Sequence, residues 1–134
     1  AWVKLTAPTT GTKFIVYSGD ASSGYGLRVN TSGQVEVASG ANIANGGTVL
    51  TANKWHHIAA IRSSDTWAIY VNGKAETMTN ANATVTQPAA SSKFAIGVDS
   101  TLGANYTSGN ISRVKVYHAA LSVSQVRHLA IQVP

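Results

Sequence analysis

The 134-residue sequence predicts an all-β sandwich carrying one short helix at its C-terminal end. Three observations predict it. Short apolar or alternating runs recur along the chain, separated by Gly, Asn, Ser and Thr at spacings that suit strands and turns. An Asn-Gly pair, the strongest short hairpin signal, joins two of these runs at Asn72-Gly73. A single helix-start pattern is present, and it follows the last run, at Ser122.

Taken in order, the runs read as strands at residues 1–5, 13–18, 25–30, 34–39, 47–50, 55–62, 66–72, 74–78, 93–99 and 109–117. Between the third and fourth, Asn30-Thr31-Ser32-Gly33 makes a turn with Gly33 suited to a left-handed position. Asn72-Gly73 supplies the two positive φ angles of a type I′ turn, so the runs beside it form a tight hairpin. Side chains alternate along a strand, which places Trp67, Ile69 and Val71 on one face and Ala68 and Tyr70 on the other. In the last run Val114 and Val116 alternate, but Ile111 is out of phase with them, and a bulge or twist is expected near Ser112. Residues 80–92 are rich in Ala, Asn and Thr, include Pro88, and read as a surface loop. Ser122-Val123-Ser124-Gln125 fits a capping box, with Leu121 and Val126 placed as a hydrophobic staple. Val123, Val126, Leu129 and Ala130 then form an apolar stripe that can lie on a sheet. No repeat or boundary divides the chain, so residues 1–134 read as one domain.

Composition narrows the function. Charged residues are 11% of the chain, against roughly 25% in an average soluble domain. Polarity rests instead on 28 serines and threonines. The 44% hydrophobic content argues against disorder, no window approaches the length of a membrane-spanning helix, and there is no cysteine. The first residues do not read as a signal peptide. The net charge of +5 comes from scattered bases, of which only Arg113 and Lys115 are close together. Such cations read as a solvated surface, and neither nucleic acid nor membrane insertion is expected.

The chemistry-bearing residues are few. Glycoside hydrolysis needs two cooperating carboxylates. The acids are Asp20, Glu36, Asp65, Glu76 and Asp99, widely spaced, and no strand carries two of them. His56 and His57 are consecutive on a strand, so their rings point to opposite faces and cannot share an ion. One is expected buried and hydrogen-bonded, the other at the surface. Trp2, Trp55 and Trp67 sit inside strand runs and read as packing residues. Tyr25 and Tyr106 stand beside Gly- and Asn-rich turns, where a ring can stack on a ligand. With Asn105, Asn72 and Asp99 they make the candidate contact site on a loop rim. Four N-x-S/T matches occur, at Asn30, Asn82, Asn105 and Asn110, against roughly two expected by chance in such a chain, an excess too small to carry an argument.

Seven ordered blocks carry a family resemblance: Ala1-Trp2-Val3-Lys4, the stretch from Gly24 to Asn30, Lys54-Trp55-His56-His57-Ile58-Ala59-Ala60, Ala68-Ile69-Tyr70-Val71-Asn72-Gly73-Lys74, Ile96-Gly97-Val98-Asp99, the stretch from Gly109 to Tyr117, and Ala120-Leu121-Ser122. In this order they resemble the laminin-G-like members of the concanavalin A-like lectin/glucanase superfamily. The resemblance implies a jelly-roll sandwich of two antiparallel sheets. It also implies a further strand ahead of Ala1, pairing near the last strand, so this sequence reads either as a piece of a longer chain or as a domain that shares a neighbour's strand. Relatives often carry an acid where Ser112 stands, and in parts of the superfamily it helps to hold calcium. Ser112 is neutral, so no cofactor is expected; Asp99 or Asp20 with backbone carbonyls would give at most a weak calcium site.

These readings converge on a non-catalytic binding or adhesion module, displayed outside the cell, that recognises a glycan or a protein surface through rim loops. The alternative is a virion structural protein, a capsid decoration or tail-fibre component, with the sandwich packing against neighbouring copies at a virion surface. A glycoside hydrolase is the remote third.

Overall fold

The computed structural model describes all residues except 20–22, 40–41, 83, 86–87, 89–91, 100–101 and 103–104. Among the described residues, ten strands and one helix follow in chain order: β1 (Trp2–Leu5), β2 (Lys13–Gly19), β3 (Gly24–Val29), β4 (Gln34–Ser39), β5 (Asn42–Val49), β6 (Trp55–Ser63), β7 (Thr66–Val71), β8 (Lys74–Ala75), β9 (Lys93–Ile96), β10 (Gly109–Ser112) and α1 (Val123–Ala130). They build two antiparallel five-stranded sheets, in the orders β10-β1-β6-β7-β8 and β5-β4-β3-β2-β9. The expected sandwich with one short helix is therefore observed, and its arrangement is that of a jelly roll.

The core is the layer between the sheets. Val3 and Leu5 of β1, Ile58 of β6 and Trp67, Ile69 and Val71 of β7 face Ile15, Leu27, Val29, Val35 and Val37 of the second sheet. Period-two alternation puts these residues on inner faces, and their removal from water holds the layers together. The second sheet bends where Ile15 is inserted between Phe14 and Val16, shifting the register of β2 on β3.

The turns follow the expected chemistry. Asn72 and Gly73 adopt φ of 50° and 77°, the type I′ geometry. Gly33 has φ of 78°. The Ser122 side chain accepts from the Gln125 N–H while the Gln125 side chain accepts from the Ser122 N–H, completing the capping box. The helix that follows buries Val126 completely. It packs beside the β7–β8 turn, where a side chain on Gly73 would come within 3.1 Å of the Ala130 Cβ.

Several expectations need correction: the run at 47–50 belongs to a longer strand, Asn42–Val49, and the run at 74–78 pairs only over Lys74–Ala75. The last strand ends at Ser112 rather than Tyr117, because Arg113 takes φ of 50° and leaves the ladder. This is the irregularity that the phase of Ile111 foretold, but residues 114–117 do not resume pairing. The run at 93–99 pairs only to Ile96, since Gly97 turns the chain at φ 78°. The cations are not uniformly solvated. Lys13 is only 2% exposed, its Nζ donating to the Thr10 and Gly11 carbonyls, and desolvation lowers its pKa. Arg28 is paired with Glu36 at 2.7 Å.

Candidate functional site: a loop rim beside a polar sheet face

The loop from Gly97 to Ser108 is sewn to the first residues of β2. Gly97 N–H donates to the Ile15 carbonyl (3.1 Å), Thr107 N–H to the Gly97 carbonyl (2.8 Å), and Thr107 Oγ1 to the Phe14 carbonyl (2.7 Å). Asn105, at φ 54°, turns its carbonyl toward the Phe14 N–H (3.4 Å) and its side-chain amide toward Asp99 Oδ2 (2.9 Å). Asp99 is buried, and its carbonyl accepts from the Leu102 N–H at 3.1 Å. Tyr106 follows. Its hydroxyl donates to the Leu102 carbonyl at 2.8 Å while 60% of the residue remains exposed. The phenol is thus tethered at its tip with much of its ring in solvent, a stacking surface whose position is fixed by its own loop.

Beside Phe14 lies a polar cluster on the second sheet. The Arg28 guanidinium sits 5.6 Å over the Phe14 ring, and Tyr17 meets that ring edge-on at 5.3 Å. Glu36 accepts from Arg28 Nε and from Asn30 Nδ2, each at 2.7 Å. Sequence reasoning missed this group. The signal was available, since Arg28 and Glu36 stand directly opposite across the Asn30–Gly33 turn.

The five predicted contact residues do not form one site. Asp99, Asn105 and Tyr106 come together. Tyr25 pairs with Ser18, at the opposite end of β2 from Phe14, and lines a groove along the edge of the first sheet. Asn72 belongs to the other sheet and holds the histidine strand in place. Its Oδ1 accepts from the His57 N–H (2.9 Å) and its amide meets His56 Nδ1 (3.2 Å). The histidines do point to opposite faces, with one correction. His57, the buried one, leaves Nδ1 unpartnered and packs edge-on against Trp2 at 5.5 Å. The hydrogen-bonded one is His56, held by Thr51 and Asn72. Trp2 and Trp67 are buried and Trp55 is partly so, as packing residues.

Every described carboxylate is engaged. Glu36 holds Arg28 and Asn30, Glu76 accepts from Gly47, Thr48 and the Thr48 hydroxyl, Asp65 pairs with Arg62, and Asp99 accepts from Asn105. Among the described residues no group of three or more His, Asp or Glu side chains could hold a metal ion, and Asp20 lies outside them. Among the same residues no helix is long and apolar enough to cross a membrane.

Residues 1–127 match the profile of a laminin-G-type family described as the Concanavalin A-like lectin/glucanases superfamily. No curated protein matches the chain in sequence. Among solved structures it is similar to a Bacteroides ovatus protein assigned to carbohydrate binding, at 22% identity and a TM-score of 0.74, over 95% of this chain and 38% of that one. It is also similar to the CBM40 of Ruminococcus gnavus IT-sialidase, at 14% identity and a TM-score of 0.78, over 96% of this chain and 79% of the other. That CBM40 has also been solved bound to alpha2,3 sialyllactose. Trypanosoma rangeli sialidase matches at 20% identity and a TM-score of 0.68, over 97% of this chain but 22% of the enzyme. At these identities the likeness is one of fold, and the chain spans well under half of the first and last of these proteins.

Proposed function

Because this chain belongs to the Concanavalin A-like lectin/glucanases superfamily, we propose that it is a non-catalytic glycan-binding module, acting outside the cell, whose ligand rests on the rim formed by Tyr106 and Asn105, with buried Asp99 holding the Asn105 amide from beneath. The observation that carries this reading is the Tyr106 ring, 60% exposed yet tethered through its hydroxyl. A pyranose presents an apolar face suited to such a ring, and fixing the ring in advance lowers the entropy lost on binding. The Asn105 side chain beside it supplies polar capacity for sugar hydroxyls. The carbohydrate-binding similarities of the fold favour a sugar over a protein surface, and the engagement of each described carboxylate in structural bonds speaks against hydrolysis. None of these similarities supports the virion alternative.

The test is a glycan array, with sialylated and neutral glycans, on the wild-type chain and on Tyr106→Ala and Tyr25→Ala. Tyr106→Ala is expected to weaken binding about tenfold, the equivalent of about 1.4 kcal/mol. Tyr25→Ala is expected to bind as the wild type does. Equal loss in both variants, or unchanged binding in Tyr106→Ala, would move the site off the rim; no binding of any glycan by the wild type would end the glycan reading.

A further inference from the structure

The rim loop takes the place of a neighbouring strand beside the start of β2. There the Phe14 N–H donates to the Asn105 carbonyl (3.4 Å) and the Phe14 carbonyl accepts from Thr107 Oγ1 (2.7 Å). Across the sheet from that loop, register sets Phe14 opposite Arg28 and Arg28 opposite Glu36. Leu27 and Val29 flank Arg28, Val35 and Val37 flank Glu36, and all four turn into the core. Arg28 and Glu36 therefore share the outer face of the sheet. Neighbouring strands lie about 4.8 Å apart, so β3 stands two spacings, roughly 10 Å, from the rim loop. Arg28 is held from both sides. Its Nε donates to Glu36 Oε2 at 2.7 Å, away from the rim, while the centre of its guanidinium lies 5.6 Å over the Phe14 ring, on the rim side. Glu36 is fixed in turn by Asn30 Nδ2 at 2.7 Å, and Asn30 by the Ser32 and Gln34 N–H groups on its Oδ1. The Arg28 side chain is 19% exposed, and among the described residues neither Nη1 nor Nη2 has a hydrogen-bond partner. The open end is a fork of donors fixed before any ligand arrives, so little freedom is lost when it is used.

The surrounding charges decide what the fork can hold. Glu36 already neutralises Arg28. The rim loop, from Gly97 to Ser108, contains Asp99 and neither lysine nor arginine. Lys13, next to Phe14, has its Nζ committed to the Thr10 and Gly11 carbonyls. A carboxylate on the fork would share one guanidinium with Glu36 and find no second cation to offset its desolvation. Sugar hydroxyls accept from the same donors without carrying a charge into the site.

Resting on the reading of Tyr106 and Asn105 as a glycan rim, we infer that Arg28 is the specificity-determining residue of the same site. It donates from Nη1 and Nη2 to hydroxyls of a neutral oligosaccharide that has one ring stacked on Tyr106 and crosses Phe14 to reach β3. Two strand spacings are more than a single pyranose ring covers, so the ligand class is a neutral oligosaccharide rather than a monosaccharide or an acidic sugar.

The test is an array of neutral oligosaccharides, each beside its component monosaccharides and its sialylated or uronic-acid counterpart. It is probed with wild type, Tyr106→Ala, Arg28→Lys and the double variant Arg28→Met, Glu36→Leu, with hydrogen exchange at the Leu27 and Val37 amides reporting the integrity of the sheet. Wild type is expected to bind the neutral oligosaccharides roughly tenfold or more tightly than either kind of counterpart. Arg28→Lys keeps a cation beside Glu36 and loses the fork; the double variant removes both charges together. Each is expected to weaken that binding about tenfold, the scale of a lost hydrogen bond to a charged group, with exchange at Leu27 and Val37 unchanged. Undiminished binding in both folded variants would overturn the role of Arg28 and leave the rim standing. Preference for the acidic or single-sugar counterparts would overturn the ligand class. Wild type that binds no glycan, or Tyr106→Ala that binds as wild type does, would remove the rim itself and this inference with it.

Discussion

Replacing His57 with phenylalanine tests whether a buried neutral imidazole sets the acid sensitivity of the fold. His57 is 3% exposed, lies edge-on to Trp2, and has its pKa lowered from 6.5 to about 4, first by desolvation and then by the charge at Ala1. In the unfolded chain the ring regains its ordinary value. Between those two pH values the unfolded state binds a proton that the folded state excludes, so this contribution is complete above pH 6.5, declines as pH falls toward 4, and changes no further below it. At about 1.4 kcal/mol per pH unit, that interval corresponds to about 3 kcal/mol. Urea denaturation at pH 7 and at pH 4.5 measures it. Wild type is expected to lose about 2 kcal/mol more than His57→Phe between the two conditions, while the carboxylates common to both proteins cancel in the difference. At pH 7 the variant keeps the aromatic contact with Trp2 and discards an unpartnered nitrogen, so its stability is expected within about 1 kcal/mol of wild type. Parallel decline of the two proteins would refute the assignment.

Two other substitutions probe the scaffold. Glu36→Ala leaves the largely buried Arg28 and Asn30 without their shared acceptor and is expected to cost about 3 kcal/mol in denaturant titration; the double variant Arg28→Met, Glu36→Leu should recover most of it. Ser122→Ala removes one half of the capping box and is expected to cost about 1 kcal/mol, with early exchange confined to α1.

Much of the fold was legible because its signals are local. Asn72-Gly73 can serve few purposes other than a type I′ turn, and Ser122 with Gln125 announces a helix from four residues. Strand lengths were less legible, since they depend on partners far away in sequence. The run at 109–117 alternates well enough to be a strand throughout, but only Gly109–Ser112 meets β1. The proposed contact site was half legible. Tyr106, Asn105 and Asp99 are close in sequence and share one loop, so reading them as a unit needed no tertiary knowledge. Asn72 and Tyr25 have the same composition of surroundings, but Asn72 is consumed by the histidine strand and Tyr25 stands at the far end of β2. Glu36 stands in sequence as one acid among five, whereas its register opposite Arg28 makes it a structural acceptor.

The pairing of β1 with β10 also bears on how the molecule folds. It joins Trp2–Leu5 to Gly109–Ser112, so nearly the whole chain is enclosed between its two strands. Closing a loop of roughly 100 residues costs about 4 kcal/mol in chain entropy beyond its length-independent part. The hairpins formed by β3 with β4 and β6 with β7 close short loops and form without that expense. The physical order is therefore hairpins first and the β1–β10 seam late. That places the chain among slow, high-contact-order folders.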